Sequence, residues 1–296
     1  MQLARSVVAY VLFSSLCMAQ TVVGLTASGT ETTLNRKFLA ERPVGANPTR
    51  TAASTSIHTD GGGNKNVVVF PGDRVFAQFV DGASWQTSIY LVNLENHPTS
   101  FSVLFLRDDG SDLYVPVVGQ GLVRGMDITL DTAGSYEFET SGNSPNLAQG
   151  WALISQTTND SVGGMAVFRQ RFPGFQAQEA VVPVVSQFDS HFVLLFDNTN
   201  AYVTGIAIAN PTNNSVVIPV NIRNQSGQII DQRTISLGPY GHTAFVLTDF
   251  WSSTAGRQGA IEFLTSGFGV GALGLRANGA ALTSFNVLEN LNWRAP

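Results

Sequence analysis

Residues 85–93 read Trp-Gln-Thr-Ser-Ile-Tyr-Leu-Val-Asn, and residues 202–210, which lie 117 positions further on, read Tyr-Val-Thr-Gly-Ile-Ala-Ile-Ala-Asn. The first stretch alternates between larger apolar side chains and smaller or polar ones, a pattern typical of a strand with one buried face. The same offset relates Gly110 to Gly227. A repeat of this length matches a small domain and is too long for a solenoid unit. The chain therefore contains two related halves.

A shorter offset of 107 relates the later parts of the two halves. It aligns Phe138 with Phe245, and it predicts that Arg169 corresponds to Arg276. In both halves, short alternating runs are separated by turn-forming residues at intervals of about 8–12 residues, without helical spacing. This pattern predicts an all-β fold of two tandem immunoglobulin-like or fibronectin-like β-sandwich domains that arose by internal duplication.

The N-terminal residues are typical of a secretory signal. Arg5 precedes an apolar run, and small residues favour cleavage after Ala19, which would also remove Cys17, the only cysteine. We expect an exported protein that is extracellular, on the cell surface or periplasmic, and that is not inserted in a membrane after cleavage. The predicted organisation is a signal peptide at 1–19, a flexible leader or linker at 20–66, a first sandwich domain at 67–186 and a second at 187–293.

The charge of the chain argues against nucleic acid as a partner. The chain has 16 Lys and Arg residues against 21 Asp and Glu residues, a net charge of −5. Its arginines are scattered, and lysine occurs only at Lys37 and Lys65. Binding to a phosphate backbone depends on clustered positive charge. The expected partner is therefore a glycan or another envelope or extracellular protein.

The segments that lead into the repeated strands form a two-domain pattern. Residues 79–82 (Phe-Val-Asp-Gly) precede the first strand and residues 196–200 (Phe-Asp-Asn-Thr-Asn) precede the second, and residues 164–171 and 241–247 belong to the same pattern. This pattern resembles repeats in predicted exported proteins of soil bacteria that carry no assigned function. The resemblance covers residues 67–288. It implies secretion and β-domains, and it implies no catalytic residue.

The candidate ligand-binding residues lie where each repeated strand begins. Asp81 and Asp197 each come shortly before an aromatic residue, Trp85 in the first half and Tyr202 in the second. An Asx-turn explains the acids, and burial at the end of a sandwich explains the aromatic rings. A calcium ion or the hydroxyl groups of a sugar are the functional alternatives. The candidate residues are Asp81, Ser84, Trp85, Asp197, Asn198, Asn200 and Tyr202.

No catalytic, metal or cofactor site is predicted from motifs. Residues 189–191 read Asp-Ser-His, but in an extended chain the serine points away from both neighbours, so these three side chains form no relay. Zinc needs three or four ligands, and the histidines are isolated. Residues 269–274 have the glycine spacing of a dinucleotide site, but no acid follows at the required distance. The chain is therefore not expected to be an enzyme.

Two functions remain after these exclusions. The first is a non-catalytic secreted or cell-surface protein whose tandem sandwich modules serve adhesion, scaffolding or envelope interaction. The alternative is a carbohydrate-binding module that uses loop and aromatic contacts. For both, the rigid sheets would hold the loops beside Trp85 and Tyr202 at a fixed separation.

Overall fold

The alternating runs form strands, and the all-β prediction is confirmed. The computed structural model describes residues 73–156, 158–172, 176–185, 191–265, 269–278, 281–285 and 287–289. The predicted signal peptide, the predicted leader and the first six residues of the predicted first domain lie outside the described residues. Within the described residues, no helix has the length and apolar character needed to cross a membrane.

Two antiparallel sheets form the first half. They have the strand orders β1-β8-β3-β6 and β10-β9-β2-β7, and β4 and β5 form a separate hairpin between β3 and β6. The strands are β1 (Arg74–Asp81), β2 (Trp85–Asn93), β3 (Thr99–Leu106), β4 (Val115–Val117), β5 (Gly121–Val123), β6 (Gly125–Leu130), β7 (Ser135–Glu139), β8 (Ala148–Gln156), β9 (Val162–Gln170) and β10 (Gln178–Pro183).

The second half also consists of two antiparallel sheets. Their strand orders are β14-β13-β16-β11-β19 and β15-β12-β17-β18, and a single helical turn, α1 (Leu247–Phe250), follows β15. The strands are β11 (His191–Asp197), β12 (Val203–Ala209), β13 (Val216–Asn224), β14 (Ile229–Leu237), β15 (His242–Val246), β16 (Gln258–Leu264), β17 (Gly271–Ala277), β18 (Leu282–Phe285) and β19 (Leu288–Glu289).

Eight strands in each half follow the same order, and β19 adds one further strand beside β11 in the second half. The sheet β1-β8-β3-β6 corresponds strand for strand to β11-β16-β13-β14, and β10-β9-β2-β7 corresponds to β18-β17-β12-β15. The first half has the additional hairpin β4–β5 where β13 and β14 are joined by a tight turn. This insertion lies between the two parts of the sequence that align at different offsets. It therefore accounts for the change of offset from 117 to 107.

The shorter offset is wrong by one residue on β9. Arg169 pairs with Gln86 on β2, and the residue 117 positions after Gln86, Val203, pairs with Ala277 on β17. Arg169 therefore corresponds to Ala277, and the predicted match of Arg169 with Arg276 is incorrect. A one-residue slip exchanges the two faces of a strand, and the glycine-rich sequence of β17 offers few side chains that would reveal its register.

The core of the first half continues into the second half. Small and aliphatic residues on β12, β15 and β17, among them Ala207, Ala244 and Leu273, belong to the same buried cluster as Trp151 and Leu153 on β8. They lie on the side of their sheet that points away from the second half's own core. The outer face of the sheet β15-β12-β17-β18 thus packs on the outer face of the sheet β1-β8-β3-β6.

Polar contacts hold the two halves together beside this apolar interface. The imidazole of His242 is buried, with Nδ1 2.7 Å from Asp108 Oδ1 and Nε2 2.9 Å from the carbonyl oxygen of Ala77. The indole of Trp151 donates to the carbonyl of Tyr240 at 3.1 Å. Buried hydrogen bonds of this kind are costly to break one at a time. They therefore define the relative position of the two halves.

Candidate functional site

In the first half, two of the predicted candidates, Asp81 and Trp85, belong to the interior. Trp85 is completely buried, so its ring offers no face to a sugar, and its candidate role in stacking is not supported. Asp81 is buried as well, and its Oδ1 accepts a hydrogen bond from the backbone N–H of Gly142 at 2.9 Å. The parity of the strand explains this placement, because Trp85 shares the inner face of β2 with Thr87 and Ile89.

The predicted match between Asp81 and Asp197 is incorrect by one position. Thr87 Oγ1 donates to the carbonyl of Val80, and Thr204 Oγ1, 117 positions later, donates to the carbonyl of Asp197. Asp197 therefore corresponds to Val80. The position of Asp81 is taken in the second half by the next residue, Asn198. Aligning the two aspartates with each other was misleading, because equivalent positions in the two halves are defined by their backbone hydrogen bonds and not by their residue types.

Asn198 has a structural role in the second half. Its Oδ1 accepts from the backbone N–H of Thr204 at 2.8 Å, and its Nδ2 donates to Thr254 Oγ1 at 3.1 Å. The neighbouring candidates Ser84 and Asn200 lie in tight turns, where φ is +80° and +51° respectively. This left-handed conformation is unusual outside glycine and is tolerated best in turns. These three candidates shape the loops and form no common site.

Asp197 and Tyr202 are brought together by Arg276. Arg276 Nη2 is 2.6 Å from Asp197 Oδ2, and its guanidinium carbon lies 3.3 Å from the centre of the Tyr202 ring. Burial alone would raise the pKa of Asp197, but hydrogen bonds from Thr199, Gln258 and Arg276 outweigh it and bring that pKa to about 2. Asp197 is therefore a firmly ionised carboxylate at neutral pH.

This ion pair lies beside an open groove on the outer face of the sheet β14-β13-β16-β11-β19. The groove has a volume of about 620 Å³, a size typical of ligand sites. Val193 and Leu195 on β11 lie beside Glu262 and Ala260 on β16, and all four share one face of the sheet. Leu195 is 48% exposed, which identifies that face as the open one.

A second charged group lies in the groove, around Glu262. This carboxylate is 3% exposed, and its Oε2 accepts from Asn221 at 2.8 Å and from Arg223 Nη2 at 2.9 Å, while its Oε1 is 3.0 Å from His191 Nε2. Burial would raise the pKa of Glu262, but the hydrogen bonds from Asn221, Arg223 and His191 and the charge of Arg223 lower it overall. Arg223 is held in turn by this carboxylate and by the carbonyl of Gly227.

His191 thus has a different neighbour from the one that its sequence position suggests. Asp189 and Ser190 of the Asp-Ser-His segment lie outside the described residues, and the described contact of His191 is with Glu262. Among the described residues, no group of three or more His, Cys, Asp and Glu side chains is arranged to hold a metal ion. The groove is therefore lined by two arginine–carboxylate pairs, and His191 contacts one of the two carboxylates.

Sequence reasoning named Asp197, which lines the groove, but missed the groove itself and the residues Arg223, Ala260 and Glu262. Trp151 pairs with Leu106 on β3, and Ala260 pairs with Arg223, which lies 117 positions after Leu106. Ala260 therefore corresponds to Trp151, and two positions further Glu262 corresponds to Leu153. The replacement of a large aromatic residue by alanine and of leucine by glutamate is the sequence signal that this face is open in the second half. The replacement can be recognised only once the register of β16 is known.

Comparison with known proteins does not assign the chain to a family. No family model, no curated protein and no solved structure matches it. Functional inference therefore depends on the geometry of the groove and on the way the two halves pack.

Proposed function

We propose that this chain is a non-catalytic exported protein of two tandem immunoglobulin-like β-sandwich domains, which serves adhesion, scaffolding or envelope interaction. The observation that carries the proposal is the packing of the halves, in which the outer face of one sheet covers the outer face of another and leaves the equivalent face of the second half open. The common strand order of the halves supports an origin by duplication.

The chemistry of the groove supports binding without catalysis. Asp197 and Glu262 are each hydrogen-bonded to an arginine, and both have lowered pKa values. A general acid needs a carboxyl group that keeps its proton near neutral pH, which requires a raised pKa. Neither carboxylate meets that requirement, and their side chains are occupied by structural partners.

The mechanism would be presentation of a preformed surface. Because Trp151, Asp108 and Ala77 fix the second half against the first, the orientation of the groove relative to the first half is set before any ligand arrives. A preorganised surface loses less conformational entropy on binding than a mobile one. A rigid spacer with a binding face at one end is suited to attachment or scaffolding.

The alternative function, carbohydrate binding through the loops at Trp85 and Tyr202, has less support at those positions. Trp85 is buried, and one face of the Tyr202 ring is covered by Arg276. The groove beside Asp197 is the surface that offers hydrogen-bonding groups and exposed apolar area together.

Co-sedimentation with envelope fractions of the producing cells tests the proposed function. We expect the purified chain to sediment with the envelope, and the Ala260→Trp variant, whose groove is filled, to remain largely in the supernatant. Met165→Trp, which places an indole on an exposed residue of the other half, is the control and should behave as the unmodified chain. Catalytic turnover of a polysaccharide, peptide or ester by the purified chain would contradict the proposal.

A further inference from the structure

We propose that the groove of the second half binds a segment of an uncharged polysaccharide. The inference rests on the proposed binding function and adds the chemical class of the ligand and the site that holds it. Four features of the groove support it: the balance of its charges, its amide-rich wall, its flat apolar floor and the pairing of its strands.

The charges of the groove are already balanced. Arg223 is paired with Glu262 at 2.9 Å, and Arg276 is paired with Asp197 at 2.6 Å. An anionic ligand would have to compete with these carboxylates, and a cationic ligand with these guanidinium groups. A neutral ligand avoids both costs, because it leaves the two ion pairs intact and hydrogen-bonds to their remaining donors and acceptors.

Side-chain amides form one wall of the groove. Asn224 donates to Gln228 Oε1 at 3.1 Å, and Gln225 donates to Gln258 Oε1 at 2.9 Å. The carbonyl of Asn224 already accepts from the backbone N–H groups of Ser226 and Gln228. Each amide nitrogen has two N–H groups and each carbonyl two lone pairs, so Asn224 keeps a donor and Gln225 keeps both a donor and acceptor capacity beyond these contacts. A hydroxyl group likewise donates and accepts. A polyhydroxylated ligand therefore matches this wall better than a ligand with only donors or only acceptors.

The floor of the groove is flat and apolar. It consists of Val193 and Leu195 on β11 and Ala260 on β16, with Phe285 on the side of β18. Leu195 has nearly half of its surface exposed. Covering such aliphatic area stabilises a complex in proportion to the area removed from water. The C–H face of a sugar ring is a flat apolar surface of this kind, with its hydroxyl groups directed to the sides.

An extended peptide fits this site less well. Peptides that bind to β-sheets add as a strand at an unpaired edge, where the backbone provides their hydrogen bonds. Here β11 pairs with β16 along its length and with β19 at Phe192 and Val193, and β16 pairs with both β11 and β13. The backbone of β16, which lies beneath the groove, is therefore paired on both sides, and a ligand above it is held by side chains.

The first half shows how the equivalent sheet face can be closed. At the position of Ala260 it has Trp151, whose side chain is fully buried against the second half. Replacing Ala260 with tryptophan, the residue at the corresponding position of the first half, is therefore a structurally guided way to block the groove. Ala260 is half-buried on an open sheet face, so a larger side chain can extend into the groove without displacing the core.

Affinity electrophoresis tests the inference with a defined panel of soluble polysaccharides. The neutral probes are glucan, xylan, mannan and galactan, and polygalacturonate is the acidic comparator. We expect retardation by at least one neutral polymer, an affinity at least about tenfold weaker for Ala260→Trp because the added ring clashes with the ligand, and no change for Met165→Trp. Thermal unfolding of all three proteins confirms that the variants remain folded.

The outcomes separate the ligand class from the proposed function. Retention by none of the neutral polymers, retention by polygalacturonate alone, or equal retention of the chain and Ala260→Trp would each overturn the inference. If the chain still sediments with envelopes in those cases, the binding function stands and only the ligand class fails. Release of reducing ends from a retained neutral polymer would contradict the non-catalytic function and leave the ligand site in place.

Discussion

The same sheet face is closed in one half of the molecule and open in the other. In the first half, the outer face of β1-β8-β3-β6 contains Trp151 and Leu153 and is covered by the second half. In the second half, the corresponding positions contain Ala260 and Glu262, and the face forms an open groove. The four shared strands have the same order in both sheets, so the residues that point outwards decide whether a face becomes an interface or a binding surface.

The other pair of sheets shows the reverse arrangement. Ala244 and Val246 on β15 are buried between the halves, whereas Glu137 and Glu139, at the same positions on β7, lie on the open face of the first half. Repeat proteins need polar outer faces on their terminal units to remain soluble. Each half therefore has one apolar face that meets its neighbour and one face at the end of the molecule that carries charged residues, Glu137 and Glu139 in the first half and Arg223 and Glu262 in the second.

Trp151→Ala should have the largest effect, because it removes a buried ring between the halves and leaves the carbonyl of Tyr240 without its indole donor. We expect the free energy of unfolding to fall by about 3–5 kcal/mol. Denaturant unfolding followed by circular dichroism provides the measurement. Ala260→Trp, the reciprocal exchange, should change stability by less than about 1 kcal/mol, since its site is open. Equal effects at the two sites would show that the faces are not different.

Glu262→Gln should have the next largest effect. The substitution keeps the size of the side chain but removes the charge that pairs with Arg223, so a partly buried guanidinium loses its counter-charge. We expect a loss of about 1–3 kcal/mol in the free energy of unfolding. Glu137→Gln, an exposed glutamate on the open face of the first half, is the control and should be nearly neutral. A neutral Glu262→Gln would show that the network does not stabilise the sheet.

The acid stability of the chain should depend on Asp197 and Glu262. Both carboxylates have folded-state pKa values below their ordinary values of 3.8 and 4.5, so the unfolded chain binds protons more readily. Their contribution to stability is complete above about pH 5 and declines as the pH falls towards about 2. In Asp197→Asn, the loss of stability over this interval should be smaller. An unchanged pH profile of unfolding in Asp197→Asn would contradict the assignment.

The smallest expected effect on stability comes from Glu137→Ala combined with Glu139→Val. These changes copy Ala244 and Val246 and make the open face of the first half resemble the buried face of the second. We expect little change in unfolding but concentration-dependent association, because an apolar sheet face becomes exposed. Sedimentation velocity measures this association. The Glu137→Gln, Glu139→Gln variant should remain as dispersed as the unmodified chain; association of both variants would indicate an effect of charge alone.

Part of this architecture was predictable from local sequence. The period of two and the repeat identify the strands, and parity alone places Trp85 on the inner face of β2. The interface between the halves leaves a subtler signal at residues 206–209, Ile-Ala-Ile-Ala, which are apolar on both faces, as expected for a strand that is covered on both sides.

The groove was not predictable in the same way. Its charged residues Asp197, Arg223, Glu262 and Arg276 come from four different strands, and only sheet pairing brings them together. One-residue errors of alignment also exchange inward and outward positions, as happened for Arg169 and Asp81. The sequence pattern identified the strands. Which residues share an outer face could be assigned only from the register of those strands in the sheets.

Thiol labelling at two corresponding valines tests the central claim most directly. Val75 pairs with Leu153 and Val193 pairs with Glu262, so the two valines occupy equivalent positions in the two halves. Val75 is completely buried against the second half, so close to Gly271 that a Cβ atom added there would lie 2.7 Å from Val75 Cγ1. Val193, in contrast, lines the groove.

In a Cys17→Ser background, the Val193→Cys thiol should react with a maleimide at a rate close to that of an exposed thiol. The Val75→Cys thiol should react only as fast as the chain opens or unfolds. Both proteins should react equally fast in denaturant, which controls for reagent and labelling efficiency. Equal labelling rates in the folded proteins would contradict the claim that one face is closed by the second half while its counterpart is open.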